Sequence, residues 1–124
     1  MRIFDWDKMQ PEDVSLLYQR KLAMGENVVV ARVEVKQSAC TEPHKHDNEE
    51  LIIVLSGAWK FYLPGRELVL RQNQVLQIPP GVEHSSEAIE DTVALDICTP
   101  TRYDWITGSD HSRHHNPDDF LWGV

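Results

Sequence analysis

Two histidines separated by a single residue constrain this chain more than any other feature. His44 and His46 are expected on one face of an extended strand, because side chains alternate there with a period of two. Glu50 follows after a short polar bend and opens the apolar run 51–55. Two imidazoles and a carboxylate placed together suit a divalent transition metal. The alternative is that both histidines are solvated residues of a polar loop.

A second stretch strengthens the metal interpretation. Residues 77–84, Gln-Ile-Pro-Pro-Gly-Val-Glu-His, predict a strand, a turn fixed by proline, and another strand that carries a third histidine, His84. Its distance along the chain from the first pair means that only the fold can bring the three rings together. The two stretches are therefore best interpreted jointly.

Together the two stretches resemble the two sequence motifs of the cupin family. The first motif, His-x-His-x3-Glu-x6-Gly, is matched at His44, His46, Glu50 and Gly57. The second, Pro-x-Gly-x2-His, is matched at Pro79, Gly81 and His84. The resemblance implies an all-β fold, the cupin double-stranded β-helix or jelly-roll barrel, with short N- and C-terminal extensions. It also implies that one divalent transition metal ion, left open among Zn, Fe, Mn, Ni and Cu, is bound by His44, His46, Glu50 and His84.

The chain departs from the cupin motifs at three positions that are not ligands. The glycines that open the two motifs are replaced by Ser38 and Asn73, and the asparagine that closes the second motif is replaced by Ala88. Asparagine can adopt the same left-handed turn conformation as glycine. The departures therefore concern loop detail and leave the predicted metal ligands in place.

The spacing of turns predicts eight or nine short strands, which is typical of a sandwich or barrel. These strands are expected at 15–23, 27–36, 40–46, 49–55, 58–63, 67–70, 75–79, 83–88 and 91–99. Strand 49–55 is expected to be buried on both faces, or nearly so. Leu16 and Leu17 could begin a short helix in place of the first strand. Residues 103–106 predict either a last strand or a short helix.

Length and charge limit the class of protein. The 124 residues predict a single domain, 1–124, with a polar, histidine-rich tail at 107–124. The resemblance to cupins implies that the barrel core spans about 28–102. A net charge of −8 argues against nucleic acid as a partner. No apolar run is long enough to cross a bilayer, and no secretory signal is visible. We therefore expect a cytoplasmic protein that has no membrane partner and acts on a small molecule.

Cysteines and the C-terminal tail leave alternatives open. Cys40 and Cys98 are too few for a disulfide framework, so free thiols are favoured over a bridge between them. The tail histidines, His111, His114 and His115, form either a second metal site or, as we favour, part of a solvated tail. The apolar segment 120–122 is expected to dock on its own barrel or on a neighbouring subunit, which fits a homodimer.

Two charged residues near the end of the predicted barrel are candidates for catalysis. Asp96 shares a strand face with Ala94 and Cys98, and a carboxylate in an apolar strand is costly to bury without a partner. Asp96 is therefore either paired structurally or placed in a pocket as an acid–base group. Arg102 is either a surface cation or the clamp that a negatively charged protein needs to hold an acidic substrate.

Residues 95–105 are similar to the final strand of the KdgF-type cupins of pectin and alginate degradation. Those proteins open the ring of 4,5-unsaturated uronate monosaccharides to give the linear keto acid. The resemblance implies that Asp96 moves a proton and that Arg102 helps to hold the substrate. The chain differs at two positions, since Cys98 replaces an aromatic residue and Glu50 occupies a ligand position that is usually glutamine.

Other functions are compatible with the same ligands. Three histidines and one glutamate resemble the ligand set of cupin dioxygenases, so an oxygenase, a decarboxylase or a polyketide-type cyclase is the second hypothesis. A small-molecule sensing or storage module is the third, and it predicts binding without turnover. A purely structural metal is disfavoured, because structural zinc usually closes its shell with four tight ligands, often thiolates.

Overall fold

Ten strands and two short helices form the part of the chain described by the computed structural model, residues 1–107. The strands are β1 (Glu12–Ser15), β2 (Tyr18–Met24), β3 (Val29–Val35), β4 (Cys40–His44), β5 (Glu49–Ser56), β6 (Ala58–Leu63), β7 (Arg66–Arg71), β8 (Val75–Ile78), β9 (His84–Ala88) and β10 (Thr92–Thr99). A 3-10 helix spans Trp6–Lys8, and the helix α1 spans Tyr103–Thr107. Neither helix of residues 1–107 is long and apolar enough to cross a membrane.

The strands pair into two antiparallel sheets. The larger sheet has the order β1-β2-β3-β10-β5-β8, and the smaller has the order β4-β9-β6-β7. Neighbours in each sheet are mostly distant in sequence, as in a jelly roll. The predicted all-β jelly-roll barrel is therefore confirmed. The tail histidines and the apolar segment 120–122 lie outside the described residues, so the interpretations offered for them stay predictions.

Alternation along the central strands builds the core. On β3, Val29, Ala31, Val33 and Val35 are all buried. On β10 the buried face carries Ala94, Asp96 and Cys98, which were predicted to share one face. Because strand side chains alternate, a polar residue in this register must point into the barrel. This register places a carboxyl and a thiol inside the barrel.

The expectation that strand 49–55 is buried on both faces is wrong. In β5, Glu50, Ile52 and Val54 are buried, whereas Leu51 and Leu55 on the opposite face are 36% and 40% exposed. The reason is that the six-stranded sheet packs against the second sheet on its inner side only, so the apolar residues of its outer side remain accessible to solvent.

Other element boundaries also differ from expectation. The single strand expected at 15–23 is a hairpin, with Leu16 and Leu17 in the turn between β1 and β2 and not in a helix. The carbonyl of Leu17 accepts a hydrogen bond from the Lys36 amide, which fixes this turn against the end of β3. Strand β4 ends at His44, before His46. The segment that follows Arg102 is a short helix, one of the two alternatives considered.

Backbone conformation explains the positions where the chain departs from the cupin motifs. Ser38 has φ 76° and Asn73 has φ 68°, so both adopt the left-handed conformation that glycine provides elsewhere. The conformation predicted for Asn73 is thus confirmed. These two turns keep their geometry although a side chain is present, because an isolated polar residue can occupy the left-handed region at modest cost.

Gly57 should be far less tolerant of substitution than Gly65. Gly57 has φ +99°, and a Cβ there would meet the Asp91 carbonyl oxygen and lie 2.7 Å from the Thr92 Cα. Gly65 also has positive φ, at +73°, but its Cβ would meet nothing within 4 Å. We expect Gly57→Ala to cost about 3 kcal/mol, from overpacking plus backbone strain, and Gly65→Ala about 1 kcal/mol. Urea unfolding measures both, and equal losses would contradict the assigned contacts.

Candidate metal centre

Three histidine rings meet at one end of the barrel. His44 ends β4, His84 begins β9, and the two residues are direct partners in the strand register. His46 lies just beyond β4 in the bend that leads to β5. The ring centroids of His44 and His84 are 4.3 Å apart, and the ligand atoms of all three histidines lie within 4.8 Å of one another. The rings predicted to converge are therefore together.

Backbone carbonyls orient each of the three rings. The Nδ1 atoms of His44, His46 and His84 lie 2.8, 3.2 and 2.9 Å from the carbonyl oxygens of Glu42, Asn48 and Val82, respectively. A carbonyl can only accept, so each Nδ1 must carry the proton. In the neutral ring this leaves the Nε2 lone pair free to bind a cation, as is usual for metal-binding histidines.

Glu50 completes the cluster from the opposite sheet. Its Oε1 lies 3.2 Å from Nε2 of His46 and 3.1 Å from Nε2 of His84. The buried Nε2 of His84 nevertheless has no hydrogen-bond partner among residues 1–107. Lone pairs that face a carboxylate oxygen repel it unless a proton or a cation lies between them. Metal–nitrogen bonds of about 2.0–2.1 Å place adjacent donor atoms about 3 Å apart, so these residues fit one transition metal ion.

Protonation of the rings also favours cation binding. Burial, together with the neighbouring His84, lowers the pKa of His44 to about 4, so its ring is neutral in neutral solution. Burial alone would lower the pKa of His84, but the adjacent Glu50 carboxylate raises it above its ordinary value. The carboxylate thus draws a positive charge into the cluster. A metal ion can supply that charge in place of the proton.

The proline turn of the second stretch is attached directly to the first. Gly81 has φ +79°, and its amide donates to the carbonyl of His46 over 2.8 Å. This bond holds the bend containing His46 against the turn between β8 and β9. The glycine of the second stretch therefore helps to place His46, a predicted metal ligand, in the first.

Asp96 and Cys98 lie directly beneath Glu50. Cys98 is opposite Glu50 in the pairing of β10 with β5, and the ligand atoms of Glu50, Asp96 and Cys98 lie within 4.8 Å of one another. Burial and the charge of Glu50 raise the pKa of Asp96 well above its usual range. Burial would also raise the pKa of Glu50, but the neighbouring Asp96, His46 and His84 lower it well below its usual range. The two opposite directions favour the protonated form of Asp96 and the charged form of Glu50.

Arg102 is not a surface cation. Its side chain is only 8% exposed, and its Nε donates to Asp104 Oδ1 over 2.8 Å while Nη2 donates to Asp104 Oδ2. Its guanidinium carbon lies 4.9 Å from the ring centroid of Trp105, which is buried. The positive charge of Arg102 acts on His84, Asp96 and Cys98, so this buried cation belongs to the same end of the barrel.

The space behind the cluster is too small for a substrate. A cavity of about 10 Å³ lies between the ligand side chains and the aromatic core residues Trp59 and Phe61. Such a volume holds about one water molecule. This cavity therefore has room for a water molecule but not for a substrate.

Comparison with known proteins identifies the family. Residues 31–98 match the family described as the cupin domain. The chain belongs to the cupin family. The cupin assignment made from the two motifs is thereby confirmed. No curated protein matches the sequence.

Solved cupin structures resemble the whole described fold. KdgF from Halomonas sp. is 26% identical, with a TM-score of 0.79, and the match covers 84% of this chain and 99% of that one. An RmlC-like cupin from Shewanella frigidimarina is 18% identical, with a TM-score of 0.79, and 85% and 96% are covered. A protein described as a predicted oxalate decarboxylase from Thermotoga maritima is 17% identical, with a TM-score of 0.72, and 81% and 100% are covered. The last two likenesses concern the fold alone.

The structure of this cupin also contains charged residues that sequence reasoning missed. Arg20 is 1% exposed, lies 2.6 Å from Glu12 Oε1, and has its guanidinium carbon 5.5 Å from the Trp105 ring centroid. Its position two residues after Tyr18, on the buried face of β2, was the available signal.

Both cysteines are free thiols, as favoured, although only Cys98 is buried. The homodimer and the cytoplasmic location remain predictions.

Proposed function

We propose that this cupin is a metal-dependent enzyme that opens the ring of a 4,5-unsaturated uronate-like sugar acid and completes its tautomerisation to the keto acid. One observation carries the proposal: a buried carboxyl, Asp96, and a buried guanidinium, Arg102, accompany the histidine–glutamate cluster. The likeness to KdgF from Halomonas sp. supports it, as does the resemblance of residues 95–105 to KdgF-type cupins.

The metal would be held by His44, His46, Glu50 and His84. A bound divalent transition ion would polarise an oxygen of the substrate and stabilise negative charge that develops on it. With one carboxylate and three neutral imidazoles, the loaded site keeps a net charge of about +1, which suits an acidic substrate. The overall charge of −8 makes such local positive charge necessary.

Asp96 is proposed to act as the general acid–base. Ring opening leaves an enol, and its conversion to the ketone moves one proton from the enol oxygen to the neighbouring carbon, so no atom is gained or lost. A carboxyl that keeps its proton beside Glu50 can deliver that proton to carbon and take one back from oxygen. Burial at 2% exposure shields the exchange from bulk water.

Arg102 is proposed to bind the substrate carboxylate. Arginine pairs with carboxylates through charge-assisted hydrogen bonds, and these are strong where water is excluded. Its Nη1 atom is buried and has no hydrogen-bond partner among residues 1–107. Binding the carboxylate there would orient the sugar ring towards Asp96 and the metal ligands.

The wild-type protein is expected to accelerate the loss of the ultraviolet band of a 4,5-unsaturated uronate. The reaction also proceeds without protein, so the measurement is the ratio of the two rates. Treatment with a chelator should abolish the acceleration, and adding back a divalent metal should restore it. Equal rates with and without the loaded protein would refute the proposal.

A dioxygenase is the second candidate, and Glu50 favours it. Glu50 gives the cluster three imidazoles and one carboxylate, which resembles the ligand set of cupin dioxygenases. Oxygen uptake by the iron-loaded protein, measured with small acidic and aromatic substrates, separates the two candidates. Uptake without loss of the uronate band would favour the oxygenase, whereas ligand-induced stabilisation without any turnover would favour a binding protein.

A further inference from the structure

Two of the three guanidinium nitrogens of Arg102 donate hydrogen bonds, and the third has no partner within residues 1–107. Asp104 accepts hydrogen bonds from Nε and from Nη2, whereas the buried Nη1 lacks a partner within residues 1–107. A buried donor without a partner is destabilising, because it has lost its hydrogen bonds to water. The arrangement therefore fixes the guanidinium by one edge and leaves the Nη1 side for an anion.

The guanidinium of Arg102 also lies over the indole ring of Trp105. Two arginines contact this indole, and the guanidinium carbons of Arg102 and Arg20 lie 4.9 and 5.5 Å from its ring centroid. Each arginine has its own carboxylate, Asp104 for Arg102 and Glu12 for Arg20. Stacking on an aromatic face is stabilising, and more so where water is excluded. The position of Arg102 is thus set from two directions.

The segment that carries Arg102 is also attached to the metal-binding bend. The side-chain amide of Asn48 donates to the carbonyl of Pro100, while the backbone carbonyl of Asn48 accepts from Nδ1 of His46. One residue therefore contacts both a metal ligand and the approach to Arg102. This connection keeps the anion-binding group in a fixed relation to the cluster.

Asp104 affects the net charge near Arg102 as well as the orientation of its guanidinium group. With Asp104 paired, Arg102 presents hydrogen-bond donors but little net charge. An unopposed guanidinium would attract a dianion about twice as strongly as a monoanion, since Coulomb energy scales with charge. A guanidinium paired with a carboxylate adds little attraction for the second charge of a dianion. The dianion also costs more free energy to desolvate than a monoanion.

We propose that Asp104 and Trp105 are positioning residues that make Arg102 a receptor for carboxylate monoanions and disfavour phosphate dianions. The inference rests on the proposed function only in assuming that the substrate is an acid. It narrows the substrate class to sugars that carry a carboxylate and no phosphate. It also explains why a buried arginine next to the metal ligands is accompanied by a carboxylate of its own.

Affinities for acetate and inorganic phosphate test this inference on the full chain loaded with zinc. Titration calorimetry gives both dissociation constants, and their ratio is the readout. Asp104→Asn should shift the ratio towards phosphate by about tenfold, whereas Asp104→Glu should keep it within about twofold. The matched control, Asp91→Asn, removes a carboxylate from the opposite end of β10 and should leave the ratio unchanged.

A double-mutant cycle shows whether Asp104 acts through Arg102. In an Arg102→Gln background, Asp104→Asn should change the ratio by less than about twofold. Trp105→Leu should weaken acetate binding about fivefold, and Trp105→Phe should restore most of it. An unchanged ratio in Asp104→Asn, or an equal change in the Arg102→Gln background, would overturn the inference.

The two proposals fail in different ways. Absence of uronate turnover would refute the proposed reaction while leaving the anion preference measurable. A variant that does not fold is recognised by circular dichroism, and Asp104→Ser then replaces Asp104→Asn with the same expected shift. A normal reaction with no change of preference in the Asp104 variants would refute the inference alone.

Discussion

Replacing His84 with alanine should strip the metal from the protein. The His84 ring provides a buried Nε2 with no hydrogen-bond partner in residues 1–107, 3.1 Å from the Glu50 carboxylate oxygen. Loss of a group that merely orients a ligand already weakens metal binding 10- to 100-fold, so we expect loss of a ligand to cost at least about 100-fold. Elemental analysis of the purified variant, after dialysis against dilute metal, measures the effect.

The control for this prediction uses a glutamate next to a proposed ligand. Glu49 precedes Glu50 but is exposed, and its carboxylate accepts a hydrogen bond from the Gln77 side chain. Glu49→Ala should retain a full equivalent of metal, whereas Glu50→Ala should lose it as His84→Ala does. Full metal occupancy in His84→Ala would remove the four-residue site from consideration.

Asp96→Asn should abolish turnover while leaving the metal bound. The amide has the shape of the carboxyl and can still donate a hydrogen bond to Glu50, but it cannot transfer a proton. General acid–base catalysis contributes about 10²- to 10⁴-fold, so the rate constant for loss of the uronate band should fall by that factor. The rate is followed in the ultraviolet, and the metal content is measured on the same sample.

Metal content separates a catalytic role of Asp96 from a structural one. If Asp96 only supports Glu50, the Asn variant should lose metal and activity together, and metal added in excess should restore the rate. If Asp96 transfers the proton, the fully loaded variant stays slow. Asp91→Asn, at the opposite end of β10, should behave like the wild type. An active, fully loaded Asp96→Asn would contradict the assignment.

Local spacing made the metal cluster predictable. His44 and His46 are two residues apart, so extended backbone alone places both rings near each other. The proline turn before His84 and the glycine at 57 are also features of the local sequence. In the structure the turn is held by the hydrogen bond from the Gly81 amide to the His46 carbonyl, and position 57 has no space for a Cβ. Alternation also placed Asp96 and Cys98 on one strand face, and the structure shows that this face is the buried one.

Long-range packing was not accessible in the same way. The apolar run of β5 gave no sign that its outer face lies on the open side of a sheet, because both faces of the strand are equally apolar in sequence. Arg20 and Trp105 are 85 residues apart, yet they contact each other through a hydrogen bond and a stacked ring. The alternation of side chains along a strand does not predict that Arg20 on β2 packs against Trp105 on the helix that follows the last strand.

The proposed ligands come from both sheets, since Glu50 belongs to the larger sheet and His44 and His84 to the smaller. An ion held between them would connect the two layers, and separating the layers would first require that the ion be released. Whatever binds only the folded chain also protects it from unfolding. Cellular metal supply would then govern how long the protein survives as well as how fast it works.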